Sequence, residues 1–408
     1  MRVLFMTFPW ESHFYPVVPV AWACRAAGHE VQVATMPLLT GAVTASGLPA
    51  VPVGPAVKDL KELFAGRSHL AGLEPGGWPD DWPVHPERLT DNQRAFLENM
   101  GAMQCVIARA MLPAVLAHAA EWKPDLIVSD AVTLAGPVAA AVLGIPNVRY
   151  QWGIPYLQRI ERHVDGSGPL PEYVELHEEF GAELRDEPDA WLDPCPPSML
   201  YPTDDRRLPM RYVPYNGPGE VPEWLYEDSG KPRVCLTWGG TMAKSIGADL
   251  VEAVGQVIEA AAGLDVEIVV AASPVLRDLL DTVPTGLRFA VGLPMQLLLP
   301  TCAAVVHHGG PGTTHTAVAV GTPQLAITRI PQLTITSGRL ALTGAARHLR
   351  HADVPAGRPG AELIREELRT LLADPTYRAA AEALRKDTAD LPSPADLVAV
   401  FERLAARA

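Results

Sequence analysis

The sequence predicts an α/β protein made of two doubly wound halves and a helical tail. Three observations predict it. Short apolar runs alternate with helical patterns from residue 2 to residue 150, and the same alternation restarts at Arg233 and continues to Thr328. A proline-rich stretch, residues 202–232, separates the two series. The length, 408 residues, is too great for one ordinary core and suits two domains of near-equal size.

In the first series Arg2 to Met6 reads as a strand, followed by a loop from Thr7 to Tyr15 and a helix from Val17 to Ala27 that stops at Gly28. Glu30 to Ala34 is a second strand, Leu39 to Ser46 a helix and Leu48 to Val53 a third strand. This order implies a parallel sheet. Residues 58–90 break the rhythm with clustered Gly and Pro around Trp78 and Trp82, the composition of a long functional or mobile loop. A long helix follows from Asp91 to Glu121, then a strand from Asp125 to Ser129. Ala131 to Leu143 reads as a helix and Pro146 to Tyr150 as a strand. Residues 151–200 read as irregular and aromatic, with Trp152 and Tyr156 among them.

The second series has strands at Arg233 to Thr237, Val266 to Ala271, Leu287 to Ala290, Ala303 to His307 and Gln324 to Thr328. Helices are expected at Gly247 to Ala262, Pro274 to Leu280, Met295 to Leu299 and Gly312 to Val320. The tail from Ala361 is helical in three pieces, broken near Pro375 and Pro392. The expected domains are 1–205 and 231–385, with a linker over 206–230 and a final helix over 386–408 packing back toward the first domain.

Composition narrows the function. Nearly half the residues are hydrophobic and a fifth are charged, as in globular proteins. A formal net charge of −14 argues against a nucleic-acid partner, which needs a dense basic surface. One anionic ligand can still be held by backbone amides at a helix end. Cys24, Cys105, Cys195, Cys235 and Cys302 are scattered and odd in number, which speaks against zinc sites and disulfides. They read as buried thiols in a reducing compartment. No signal peptide is visible, and no apolar run reaches the ~20 residues of a membrane span. A soluble, cytoplasmic protein without a membrane partner is expected.

Three motifs carry chemistry. The first is His307-His308-Gly309-Gly310-Pro311-Gly312-Thr313-Thr314, which follows an apolar strand and opens a helix. Glycines let a backbone approach a ligand, and amides at a helix N-terminus favour an anion such as phosphate. Thr313 and His308 can add side-chain donors. A tight strand–helix turn would also use such glycines. The second is His13, in the loop after the first strand, where doubly wound sheets bind ligands. A histidine, with an unperturbed pKa of ~6.5, can accept a proton at neutral pH. Asp130 follows the strand ending at Ser129 and should reach the same sheet edge. It could hold the imidazole tautomer, or cap the helix expected at Ala131. The third is Thr237-Trp238-Gly239-Gly240-Thr241, where Thr237, Gly239 and Gly240 could serve a diphosphate or simply form a turn.

Residues 291–345 resemble the nucleotide-sugar signature of family 1 glycosyltransferases. Leu293-Pro294-Met295-Gln296-Leu297-Leu298-Leu299-Pro300, the double-histidine glycine motif and Gly321-Thr322-Pro323-Gln324 occur in that family's order. The start is also similar: Ser12-His13, then Pro16, then a helix ending Ala27-Gly28-His29-Glu30-Val31. The likeness spans essentially the whole chain and is strongest to bacterial enzymes that decorate natural products with deoxysugars.

The resemblance implies a GT-B fold, two Rossmann-like domains facing across a cleft, with the acceptor on the N-terminal half and the nucleotide sugar on the C-terminal half. It implies an inverting enzyme that needs no metal and no cofactor beyond its sugar donor. His13 matches the catalytic base and Asp130 its carboxylate partner. His308, Gly310 and Thr313 match diphosphate contacts, with Gly309 and Gly312 in the same loop. Leu293 matches the position that meets the nucleobase, and Gln332 the glutamine that contacts sugar hydroxyls.

Two positions depart from the family. Pro331 stands where an acidic residue normally precedes that glutamine, and its side chain cannot accept a hydrogen bond from a sugar hydroxyl. A deoxy or amino sugar fits that change. Gly292 stands where many relatives carry a tryptophan near the base, which leaves uracil and thymine both open. Deoxysugars in such pathways travel on dTDP, so dTDP is the expected nucleotide. Trp78, Trp82, Trp152 and Tyr156 are candidate contacts for an apolar aglycone, or local hydrophobic plugs. A homodimer is the default assembly. The rival readings are a nucleotide-sugar epimerase, a non-catalytic auxiliary partner, and a dinucleotide oxidoreductase, the last opposed by the lack of G-x-G-x-x-G after the first strand.

Overall fold

A computed structural model describes residues 1–64, 73–74, 76–154, 159–201, 206–238, 248–272, 277 and 287–407. The chain divides into two compact units. The first comprises residues 1–195, 201–211 and 391–408, and the second residues 196–200 and 212–390.

The first unit is built on β1 (Arg2–Met6), β2 (Glu30–Thr35), β3 (Ala50–Pro52), β4 (Leu126–Asp130), β5 (Asn147–Tyr150), β6 (Ala190–Asp193) and β7 (Arg207–Pro209). Every pairing is parallel and the order is β3-β2-β1-β4-β5-β6-β7. Its helices are α1 (Glu11–Phe14), α2 (Val18–Ala26), α3 (Thr40–Ala45), α4 (Asp91–Trp122), α5 (Ala135–Leu143) and α6 (Pro171–Glu179). Leu4, Met6, Ile127, Val138 and Met111 meet in its main core, so sheet, α4 and α5 bury one apolar face together. A parallel sheet buried in this way explains why its strands read as continuous apolar runs.

The second unit contains β8 (Arg233–Thr237), β9 (Glu267–Ala272), β10 (Arg288–Val291), β11 (Ala304–His307), β12 (Gln324–Thr328) and β13 (Ala346–Arg350), again all parallel, in the order β10-β9-β8-β11-β12-β13. Around it lie α7 (Ala248–Ala262), α8 (Met295–Leu298), α9 (Pro311–Val320), α10 (Pro331–Leu342), α11 (Arg358–Ala373) and α12 (Pro375–Ala389). Strand alternation divides the core between the faces of the sheet. Val234, Leu236, Val270 and Val306 pack with α7 and α11, while Cys235, Val269 and Val305 pack toward Leu298, Leu299 and Ala317. The last helix, α13 (Pro394–Ala405), packs on α2 within the first unit, and His29 bonds to Glu402 at 3.0 Å.

Several sequence expectations change. Residues 151–200 are not wholly irregular: they hold α6 and β6. The stretch taken for a linker opens with β7, paired to β6. α5 begins at Ala135 rather than Ala131, so Asp130 ends β4 and caps no helix. α10 and β13 had no counterpart in the sequence reading. The helix expected over Pro274 to Leu280 lies outside the described residues apart from Arg277.

Contrary to the sequence reading, α4 is long and apolar enough to cross a membrane by length and composition. Its Cys105, Ala108, Met111, Leu112 and Val115 are instead buried in the core of the first unit. Gly101 on this helix is required by packing, because a Cβ there would lie 1.9 Å from the Ile160 carbonyl oxygen. All five cysteines are buried and unpaired as disulfides, and burial pushes the Cys24, Cys105 and Cys302 thiols up to about 12.

Candidate active site

Both sheets reverse winding direction beside their first strand, between β1 and β4 and between β8 and β11. Ligands of doubly wound sheets bind outside the carboxyl ends of the strands at that point. The chemistry-bearing residues gather at these two places.

In the first unit, Met6 pairs with Ser129, so the segments that follow β1 and β4 leave the sheet side by side. His13 lies in α1 and Asp130 closes β4, both buried. His13 Nδ1 and Asp130 Oδ2 are 2.7 Å apart. An ionised carboxylate only accepts, so Nδ1 carries the proton and Nε2 is left as the basic nitrogen. The Asp130 carboxylate takes three further donors. The Phe8 amide reaches Oδ2 at 3.3 Å, the Val132 amide reaches Oδ1 at 3.0 Å, and the Trp152 indole N–H reaches Oδ1 at 3.0 Å. Burial pushes this carboxyl up, but His13 and these donors outweigh it and hold it below the usual range.

Aromatic rings enclose the imidazole. Their centroids lie at 5.0 Å for Phe8, 5.6 Å for Trp10 and 4.6 Å for Trp152. Behind the pair, buried Arg149 on β5 donates to the Ala131 carbonyl and pairs with buried Glu161 at 2.6 Å. It thereby ties the turn after Asp130 to the segment that returns from the aromatic region. The sequence reading missed Arg149 and Glu161, although an arginine inside an apolar strand is itself a signal of a buried partner.

In the second unit, Thr237 pairs with His307 at the carboxyl ends of β8 and β11. His307 is fully buried. Its Nδ1 accepts from the Gly309 amide at 3.1 Å, so Nε2 donates to Gln324 Oε1 at 3.0 Å. Burial pulls this ring down to about 3. It is thus a neutral strut that shapes the glycine turn. Gly309 has φ +84°, and a Cβ there would strike Thr328 Cγ2 and Ser337 Oγ at 2.6 and 2.7 Å. A Cβ on Gly310 would lie 2.5 Å from His308 Nε2, so the His308 ring covers that glycine.

α9 begins at Pro311, which has no N–H, and the first helical bond runs from the Thr314 amide to the Gly310 carbonyl. The amides of Gly312 and Thr313 therefore project from the helix end without intrahelical partners. His308 is half-buried, its Nδ1 has no partner among the described residues, and burial pulls its ring down to about 4. Neutral donors and a positive helix end suit an anion of diphosphate size.

The remaining candidates fall as follows. Leu293 is buried in the core next to Gly292, which has φ +67°. Asn216 ties this region together, its Oδ1 accepting from the Gln296 amide and its Nδ2 donating to Thr316 Oγ1. Pro331 is buried at the first position of α10, a place that suits a fixed φ and a missing N–H, and Gln332 follows it half-buried. Trp78 and Trp82 are buried 6.4 Å apart, with Trp78 also 5.9 Å from Phe96, which is the geometry of a hydrophobic plug. Trp152 belongs to the His13–Asp130 cluster. Tyr156, Gly239, Gly240 and Thr241 lie outside the described residues. Among the described residues no three His, Cys, Asp or Glu side chains converge on a metal site.

Two parallel α/β units, each with polar residues gathered at its reversal point, define a GT-B glycosyltransferase, and the solved structures similar to this chain are of that class. The chain belongs to the family described as erythromycin biosynthesis protein CIII-like, whose N-terminal domain matches residues 22–239 and C-terminal domain residues 255–404. It is 36% identical over 430 residues to aclacinomycin-T 2-deoxy-L-fucose transferase of Streptomyces galilaeus, covering all of this chain and 96% of that one. It is 34% identical over 442 residues to 10-deoxymethynolide desosaminyltransferase of Streptomyces venezuelae, covering all of this chain and 98% of that one. The structure of glycosyltransferase VinC in complex with dTDP is similar at a TM-score of 0.81 and 33% identity over the whole of both chains. Spinosyn rhamnosyltransferase SpnG complexed with spinosyn aglycone is similar at 0.79 and 28% identity, covering 98% of this chain and 100% of that one.

Proposed function

We propose that this glycosyltransferase moves a deoxy or amino sugar from a dTDP-sugar, with inversion and without a metal ion, to a hydroxyl of an apolar polyketide-type aglycone. The 2.7 Å contact between His13 Nδ1 and Asp130 carries the reading, because it leaves Nε2 to take the acceptor proton. The acceptor belongs with the first unit and the donor with the second.

In the reaction, His13 Nε2 accepts the proton of the acceptor hydroxyl as its oxygen bonds to the anomeric carbon. The bond from that carbon to the diphosphate oxygen breaks, and dTDP leaves with the electron pair. Asp130 stabilises the imidazolium that forms. The amides of Gly312 and Thr313, with His308 and the α9 dipole, take the charge that develops on the diphosphate, a task that preorganised donors perform without a cation. The relatives support the substrate classes: VinC was solved with dTDP, SpnG with an aglycone, and the curated enzymes are named for deoxysugars. Pro331 supports a donor that lacks one of the usual hydroxyls, since no acidic side chain is present there to bind it.

Titration calorimetry with dTDP and UDP, each with and without magnesium, tests the donor half. Tighter binding of dTDP, indifferent to magnesium, is expected. Preference for UDP would overturn the deoxysugar reading, and failure to bind either nucleotide would overturn the donor site.

A further inference from the structure

We propose that Trp152 is a positioning residue for the His13–Asp130 pair, holding one carboxylate oxygen through its indole N–H so that the other stays committed to His13. This rests on the reading of His13 as the general base.

The Asp130 carboxylate is filled from three segments. On Oδ2 it accepts from the Phe8 amide and His13 Nδ1, and on Oδ1 from the Val132 amide and Trp152 Nε1. Two of these donors are backbone groups fixed by the segments that follow β1 and β4. Trp152 is the side-chain donor on the oxygen that does not meet His13. Its own backbone is well placed for the task, because the neighbouring Gln151 amide bonds to the Leu192 carbonyl at 2.8 Å and ties the end of β5 to β6.

A carboxylate turns about its terminal torsion unless both oxygens are held. With Oδ1 gripped by two donors, Oδ2 keeps its aim at Nδ1. The same indole stands edge-on to the imidazole at 4.6 Å and 61°, so it limits the ring as well as its partner. The rings of Phe8 and Trp10, which also flank His13, carry no charge, and Asp130 is its ion-pair partner. Trp152 thus acts on His13 through Asp130. Every donor removed from Asp130 leaves more of its negative charge for the imidazole.

The test is NMR of the full-length enzyme labelled with nitrogen-15 in histidine and tryptophan, with no substrate added. Trp152→Phe keeps a ring and removes the N–H, and the titration of His13 is expected to move to higher pH. Asp130→Asn is expected to move it to lower pH. In wild type the Trp152 indole N–H should resonate downfield of its position in Asp130→Asn, a comparison that needs no change at Trp152 and stands even if Trp152→Phe does not fold. An indole signal unaffected by Asp130→Asn, or a His13 titration unmoved by Trp152→Phe while Asp130→Asn moves it, overturns the role of Trp152. A His13 titration unmoved by Asp130→Asn overturns the coupled base itself.

Discussion

The two reversal points occupy the same place in two sheets of nearly the same order, yet they are finished in opposite ways. After β4 both oxygens of the Asp130 carboxylate are engaged. Asp130 receives four donors, and Arg149 and Glu161 close the layer behind it. After β11 donors are left over. Gly312 and Thr313 present amides, and His308 presents a ring nitrogen with no partner among the described residues. The first arrangement holds a charge in one orientation, as proton transfer needs. The second is short of negative charge, as an anion site must be before its ligand arrives. The fold supplies the location and the local residues supply the chemistry.

Breaking the first region should produce the largest effect. His13→Ala removes the proposed base and should lower transfer by roughly 10²–10⁴-fold, while dTDP binding in calorimetry stays unchanged. A comparable loss of nucleotide affinity would show that the two regions are not independent in function. Transfer at the wild-type rate would place the base elsewhere.

The second region should break more gently. Gly310→Ala puts a Cβ 2.5 Å from His308 Nε2 and must displace that ring. Loss of one charge-assisted donor costs about 1.5–3 kcal/mol, so dTDP should bind roughly 10- to 100-fold more weakly. The His13 titration should be unaffected. Undiminished dTDP binding would remove His308 from the diphosphate site.

The sequence made the first region legible for a simple reason. Apolar strands are easily seen, and polar residues that directly follow two of them must meet at one sheet edge. His13, Asp130 and the glycine turn were found in this way. Trp152 was read as an acceptor contact or a hydrophobic plug because an aromatic residue in an irregular segment gives no hint of where its N–H points. α6 was missed because Pro171–Glu179 carries four glutamates among nine residues and turns inward only Tyr173, Leu176 and His177. β13 was missed because it is an edge strand, Ala-Arg-His-Leu-Arg, with one buried residue and no apolar run. The alternative role of Asp130 as a helix cap falls away because four residues separate it from α5. The role of His307 as a neutral strut depends on the Gly309 amide and on Gln324, seventeen positions away, which no local pattern announces.

The smallest effect sharpens the comparison through acid stability. Among the described residues the second unit holds three histidines whose rings burial pulls down, the buried His307 to about 3 and the half-buried His308 and buried His315 to about 4. Among the described residues the first unit has one lowered histidine, His177, and two buried carboxylates, Asp130 and Glu161, held below their usual range by His13 and by Arg149 and Arg159 respectively. A lowered histidine favours the neutral native state. Its contribution is complete above the unfolded value of ~6.5 and is lost as pH falls toward the folded one. Over that window the unfolded chain binds a proton that the native unit refuses, at a cost approaching about 1.4 kcal/mol per pH unit for each such histidine. The lowered carboxylates work over a different window, contributing above the unfolded value of ~4 and losing that contribution only below it. Acidification from pH 6.5 to 4.5 should therefore loosen the second unit first, since three histidines oppose it there against one. Hydrogen exchange read by mass spectrometry across this range should show β11, α9 and β12 losing protection before β1, β4 and β5. Loss in the reverse order would mean that the buried histidines of the glycine turn accept protons without opening the fold.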